Sequence, residues 1–392
     1  MTRLWFPHLG LWVVGIIVLR VVLVPAESCP PASPATAVAA ATAAGDWLAL
    51  NLDEGGMFTY SYHRGTDEVG SGYSIVRHAG ATMSLYQLAE VADDGGSLAA
   101  ADRSLRFLLE SALIEADGWA AIGQADQPGS LGATGLAVAA MGLRRDVTGD
   151  RSRDDLMRAM GRFIVAQQQP DGSILAGWDR ESAAPIPGSY DVFATGEAVW
   201  ALAMLHRMFP EEDWEGPALT SMDYLASGTR ERNEGEIARL PDHWAAYALE
   251  EIGRSGLMTD RYLAYARRLA GYFSLRLRVE AQRTGEPVSV AVRGWPGPPS
   301  GVGTSGEGMA ALYRLALVED GLADIRPDMG VRLICAAGLM AERQVSASRA
   351  LDGPRPGLTE GAWFYRNYTQ MDDQQHVLSA LLGAADVQEA DR

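Results

Sequence analysis

The chain has 392 residues and a net charge of -17, with 33 basic residues against 50 acidic ones. That balance argues against a nucleic-acid partner, because binding one depends on basic surface. All 33 basic residues are arginine, so Schiff-base chemistry, a lysine general base and a lysine phosphate clamp are excluded.

Residues 9–24 are apolar except for Gly10, Gly15 and Arg20, and Trp5 and Phe6 extend the run. The total approaches the ~20 residues of a membrane span. Arg3 precedes the run and no arginine follows Arg20 until Arg64, a bias that favours an N-terminus inside and the bulk of the chain outside. Ala26-Glu27-Ser28 also fits a signal-peptide cleavage site, while Glu27 suits a lipobox at Cys29 poorly. Residues 1–24 are therefore predicted to be a signal anchor or a cleaved signal peptide. Residues 25–37 read as a spacer, and the remainder as extracytoplasmic, either membrane-anchored or exported. Of the two cysteines, Cys29 follows this segment and Cys335 reads as a buried small hydrophobe. So placed, they predict neither a disulfide framework nor a metal site.

Six helical segments then open with polar side chains and run into an Ala/Leu stripe. They begin near Ser74, Ser130, Val192, Asp242, Thr304 and Asp372. Thr195-Gly196-Glu197-Ala198 and Ser305-Gly306-Glu307-Gly308 share one register, and Asp242-His243-Trp244-Ala245 and Gln374-Gln375-His376-Val377 fit it. Small residues after each start allow helices to crowd together. Between these segments lie more charged, amphipathic helices near 38–50, 97–115, 152–169, 215–227, 259–280 and 327–345. Turn chemistry such as Pro170-Asp171-Gly172-Ser173 separates them. Met57-Phe58-Thr59-Tyr60 and Trp363-Phe364-Tyr365 alternate as short strands do. An all-α domain over residues 38–386 is predicted, with an acidic tail at 387–392.

Six hairpins with polar inner-helix starts resemble the (α/α)6 toroid shared by six-hairpin glycosidases, uronate-acting lyases and epimerases, and terpenoid cyclase relatives. Gln167-Gln168-Gln169-Pro170-Asp171-Gly172-Ser173 also resembles the repeat of squalene-type cyclases, although Ile174 replaces its aromatic residue and no Asp-x-Asp-Asp motif occurs. The resemblance implies a cleft at the inner-helix starts.

If those starts converge, the cleft gathers carboxylates and imidazoles. Glycoside hydrolysis needs two carboxyl groups, one protonated and one ionised. Glu197, Asp242 and Glu307 lie on three successive inner helices and form the first acid/base set, followed by Asp191 and Asp372. The bland alternative for each is a helix cap or dipole partner. Arg77, His78, Tyr60, Tyr190, His243, Trp244, Trp363, Tyr365, Asp373 and His376 are the expected substrate-binding residues. Aromatic faces suit sugar C–H surfaces. Arg77 suits a uronate carboxylate, or else pairs with a cavity acid. The sequence thus predicts a carbohydrate-active enzyme, with a glycosidase first, a uronate lyase or epimerase second, and a non-catalytic binding ring third. Neither metal nor cofactor is expected.

Overall fold

The computed structural model describes residues 5–20, 25–92, 95–124 and 129–390. Residues 21–24 of the expected apolar segment and residues 391–392 of the expected tail lie outside these.

Helix α1 (Trp5–Val18) leaves Leu9, Leu11, Trp12 and Ile16 exposed. Its 14 residues extend about 21 Å, short of the ~30 Å hydrocarbon layer. Among the described residues no helix is long and apolar enough to cross a membrane.

Among the described residues twelve longer helices follow, outer and inner alternating along the chain. They are α2 (Pro34–Leu50) with α3 (Ile75–Ala92), α4 (Gly95–Ala112) with α5 (Leu131–Thr148), and α6 (Asp154–Gln167) with α7 (Ala194–Met208). The later pairs are α8 (Glu215–Ala226) with α10 (His243–Arg254), α11 (Asp260–Ala281) with α13 (Pro299–Val318), and α14 (Arg326–Arg343) with α16 (Met371–Ala390). Short helices α9 (Gly228–Glu234), α12 (Pro287–Arg293) and α15 (Ala347–Ala350) sit in the loops. The inner helices pack in the order α3, α5, α7, α10, α13, α16, and α16 returns to α3, so the ring closes.

Local chemistry sets the helix ends. Ser33 caps α2 through the Thr36 amide, with Pro34 opening the first turn. Gly149 ends α5 in the left-handed region at φ 72°. Helix α13 starts five residues before the expected Thr304, because Pro299 has a backbone suited to a first turn. Helix α16 runs to Ala390, so residues 387–390, expected as tail, are helical. The inner helices are buried on every side, and glycine makes this possible at the closest approach. A Cβ on Gly303 would lie 2.6 Å from the His376 backbone.

Among the described residues the mouth carries three small sheets. Strand β1 (Ser61–His63) pairs with β2 (Glu68–Val69) and β7 (Tyr368–Gln370), β3 (Leu113–Ala116) with β4 (Trp119–Ile122), and β5 (Gly129–Ser130) with β6 (Gly177–Trp178). The strands expected at 57–60 and 363–365 are displaced toward β1 and β7. Phe58 and Trp363 are instead buried in the core.

The cysteine expectation is corrected: Cys29 and Cys335 form a disulfide across a separation of 306 residues. Ring closure brings α14 against the segment after α1. There Glu27 pairs with Arg278 at 3.0 Å and with Arg332, and the Ser28 amide donates to the Ala281 carbonyl at 2.8 Å.

Candidate functional site

A cavity of about 320 Å³ opens at the inner-helix starts. Its walls include Arg77 from α3, Asp191 and Glu197 at α7, His243 and Trp244 from α10, and Asp372, Gln375 and His376 from α16.

One wall is an ion-pair cluster. His376 Nδ1 lies 2.6 Å from Glu307 Oε2, and His376 Nε2 lies 3.5 Å from Asp372 Oδ1. Gln375 donates to Glu307 Oε1 at 3.3 Å, and the Tyr247 hydroxyl donates to the same oxygen at 3.5 Å. Burial disfavours an imidazolium, but Glu307 and Asp372 outweigh it and push His376 up to about 10. Burial also raises Glu307, so one proton is held between the pair. Burial likewise opposes ionisation of Asp372. There His376 and Arg77 prevail and hold its carboxyl below the ordinary value.

His243 differs from His376. It is buried, its Nε2 is 3.7 Å from Glu307 Oε2, and neither ring nitrogen has a hydrogen-bond partner among the described residues. Its ring meets His376 edge-on at 5.0 Å between centroids. Burial, with the nearby His376 and Arg276 charges, keeps it well below the usual histidine range, so it is a neutral imidazole. His243, Glu307 and His376 bring three donor atoms within 4.8 Å of one another, and a metal ion could sit there. The 2.6 Å His376–Glu307 contact, however, has the geometry of a hydrogen-bonded ion pair.

Glu197 lies on α7, diametrically across the ring from α16. Among the described residues none hydrogen-bonds its carboxyl. Burial, then Asp191 and Asp242, hold it well above its ordinary value and so favour the protonated acid. Asp372 on the opposite inner helix is ionised. The cavity is therefore lined by one carboxyl group biased toward its acid form and one biased toward its carboxylate, on opposite inner helices.

Other expected site residues have different surroundings. Asp242 is fully buried and caps α10 through the Trp244 and Ala245 amides at 3.0 and 3.2 Å. Burial pushes it up to about 7 even with Arg230 3.9 Å away. Asp191 lines the cavity while also capping Phe193 and Ala194. Asp373 accepts from the Ser300 and Gln370 amides, each at 3.0 Å, and is not at the cavity surface. His78 is buried between Tyr73 and Ser104, where burial drops it to about 4. Arg77 is engaged by Asp372 at 3.5 Å, the Tyr60 hydroxyl at 2.6 Å and Gln370, which fits the alternative of pairing with a cavity acid. Trp244 lines the cavity and stacks on Trp200, whereas Trp363 and Tyr365 line a separate groove. Tyr190 is half-buried beside Asp191. Gln375 and Tyr247 were not among the expected residues. Tyr247 carries a usable signal, one helical turn after His243.

No protein-family model and no curated protein matches the chain. Solved structures do. An unsaturated glucuronyl hydrolase specific for heparin superposes at TM-score 0.59 with 12% identity, over 91% of this chain and 98% of its own. The fold is the (α/α)6 toroid. A cellobiose 2-epimerase from Spirochaeta thermophila shares it at TM-score 0.58 and 14% identity, covering 88% and 93% of the two chains. A family 76 glycoside hydrolase from a bovine Bacteroides thetaiotaomicron strain does so at 0.60 and 10%, covering 91% and 78%. At such identities the toroid likeness concerns architecture alone.

Proposed function

We propose that the toroid is an exported carbohydrate-active enzyme that hydrolyses a glycosidic bond. The observation that carries this reading is that Glu197, held well above its ordinary value, and Asp372, held below its own, line one cavity from opposite inner helices. Glu197 gives its proton to the leaving-group oxygen as the C1–O bond breaks. Asp372 accepts a proton from the water whose oxygen bonds to C1. Asp191 contributes by keeping Glu197 protonated, and Trp244 offers an apolar face to the ring. The charged lining argues against an isoprenoid substrate, and the unengaged Glu197 argues against a purely structural ring.

The test is a panel of glycans incubated with the full chain, with reducing ends measured. Release by wild type, reduced about 10²–10⁴-fold in Glu197→Gln, is the expected result. No release from any glycan, or equal release by the variant, would overturn the reading.

A second reading rests on His243. A neutral imidazole with both nitrogens unpartnered, beside an imidazolium, can remove and return a proton at a sugar carbon. Epimerisation would then incorporate deuterium at that carbon in D₂O, whereas hydrolysis would not. A uronate lyase would instead produce an unsaturated-uronate absorbance.

Export is supported by the Cys29–Cys335 disulfide, since such bonds persist in oxidising compartments. The exposed apolar side of α1 suits a signal or anchor. A cysteine in a disulfide has no thiol to lipidate, which argues against a lipoprotein. N-terminal sequencing of exported protein distinguishes anchor from cleaved signal.

A further inference from the structure

A second, larger hollow of about 780 Å³ lies at the same mouth, and it has no lining residue in common with the central cavity. It shares the α13–α16 wall, since Val302 and Val377 line it while His376 lines the central cavity. Its charge runs against the rest of the chain. Arg64, Arg283, Arg343, Arg349 and Arg366 face it, with Glu342 the single acid among the described lining residues.

The five arginines fall into two groups. Arg283 and Arg343 pair with Glu280, which also accepts the Gly297 amide at 2.9 Å, so these two brace the wall. Arg64, Arg349 and Arg366 have no carboxylate partner among the described residues. Arg64 is held by Asn367 at 3.0 Å and lies 4.5 Å over the Phe364 ring. Burial and the neighbouring Arg349 charge lower its affinity for its own proton, an electrostatic cost that an anion would relieve. Arg366 and Asn367 occupy a tight turn with φ at 49° and 70°, where an arginine backbone is strained. That turn sets Arg366 5.4 Å over Tyr365 at the groove edge. Trp295, 55% exposed, offers an aromatic face to the same hollow.

We propose that this groove binds the anionic substituents of an acidic glycan, with Arg64, Arg349 and Arg366 contacting carboxylate or sulfate groups and Trp295 and Tyr365 contacting sugar faces. Guanidinium pairs match planar or tetrahedral oxyanions, and aromatic rings match C–H faces. The polymer then reaches the central cavity past the α13–α16 wall. The inference rests on the carbohydrate reading of the ring but not on which bond is changed there.

The experiment measures binding of full-length protein to polygalacturonate, dextran sulfate, neutral dextran and inorganic polyphosphate by calorimetry at two salt concentrations. Wild type is expected to bind polygalacturonate or dextran sulfate, weaker at high salt, and to ignore neutral dextran. The preferred polymer separates a carboxylate from a sulfate ligand. The double variant Arg64→Gln with Arg349→Gln is expected to lose at least tenfold in affinity, and the exposed Arg366→Glu independently a similar amount, with unchanged circular dichroism. Glu197→Gln is expected to bind as wild type, so loss of turnover with retained binding implicates the cavity and the converse implicates the groove. Equal binding by the arginine variants, comparable binding of neutral dextran, or tighter binding of polyphosphate would overturn the proposal.

Discussion

Replacing Glu307 by Gln removes the anionic partner of a buried imidazolium while keeping the side-chain shape. In the folded chain His376 stands at about 10, against an ordinary value of 6.5. That gap corresponds to roughly 5 kcal/mol of interaction favouring the charged ring. Glu307 and Asp372 share this interaction, so loss of Glu307 alone costs about half, roughly 2–3 kcal/mol, close to the lower end for breaking a buried pair. The unfolding entropy of a 392-residue chain is about 0.8 kcal/mol/K, so Tm at pH 6 falls about 3 °C. The sign follows from linkage. A histidine raised on folding adds stability that is full below about 6.5 and is lost as pH rises through about 10. Wild type therefore loses this part of its stability between those limits, and the variant loses less. NMR titration of His376 with calorimetric unfolding from pH 5 to 10 measures both effects. A His376 titrating near 6.5 in wild type, or a variant with an unchanged Tm–pH curve, would refute the assignment of an ion pair at the cavity wall.

Replacing both Cys29 and Cys335 by Ala opens a loop spanning a separation of 306 residues, and a loss of about 2–4 kcal/mol is expected in calorimetric or denaturant unfolding. Asp242, raised to about 7, makes wild-type stability fall as pH rises from about 4 to about 7, because the folded state retains a proton that the unfolded state has released. Asp242→Asn stays neutral and should flatten that slope in urea unfolding at stepped pH. Gly196→Ala would put a Cβ 2.4 Å from Asp242 Oδ2, and a stability loss of about 1–3 kcal/mol is expected by thermal unfolding.

Much of the architecture was legible in the chain. The alternation of small-residue helices such as Ala194–Met208 with amphipathic ones such as Asp154–Gln167 is a local pattern, because helical period and small-residue content report directly on burial. Polar starts marked the end of the ring where a cavity could form. The roles of the individual acids were not legible. Glu197 and Glu307 hold the same position in the register and Asp242 comes two residues earlier in it, yet Asp242 caps a helix, Glu307 pairs with an imidazole, and Glu197 is buried against Gly132 with no hydrogen bond to its carboxyl among the described residues. Position in the repeat sets a side chain's height in the ring. What it meets there depends on the neighbouring helix.

His78 and His243 make the same point, since both open an inner helix. One is enclosed by Tyr73 and Ser104, and the other lines a cavity. The chain by itself determined the helices, their pairing and the polar end of each, because these depend on neighbours a few residues away. Only the closed ring decided that Cys29 meets Cys335, that Glu197 and Asp372 line one cavity, and that Arg64 and Arg349 gather with no carboxylate partner among the described residues. Those meetings join residues hundreds of positions apart, and their charges depend on burial that exists only after α16 has packed against α3.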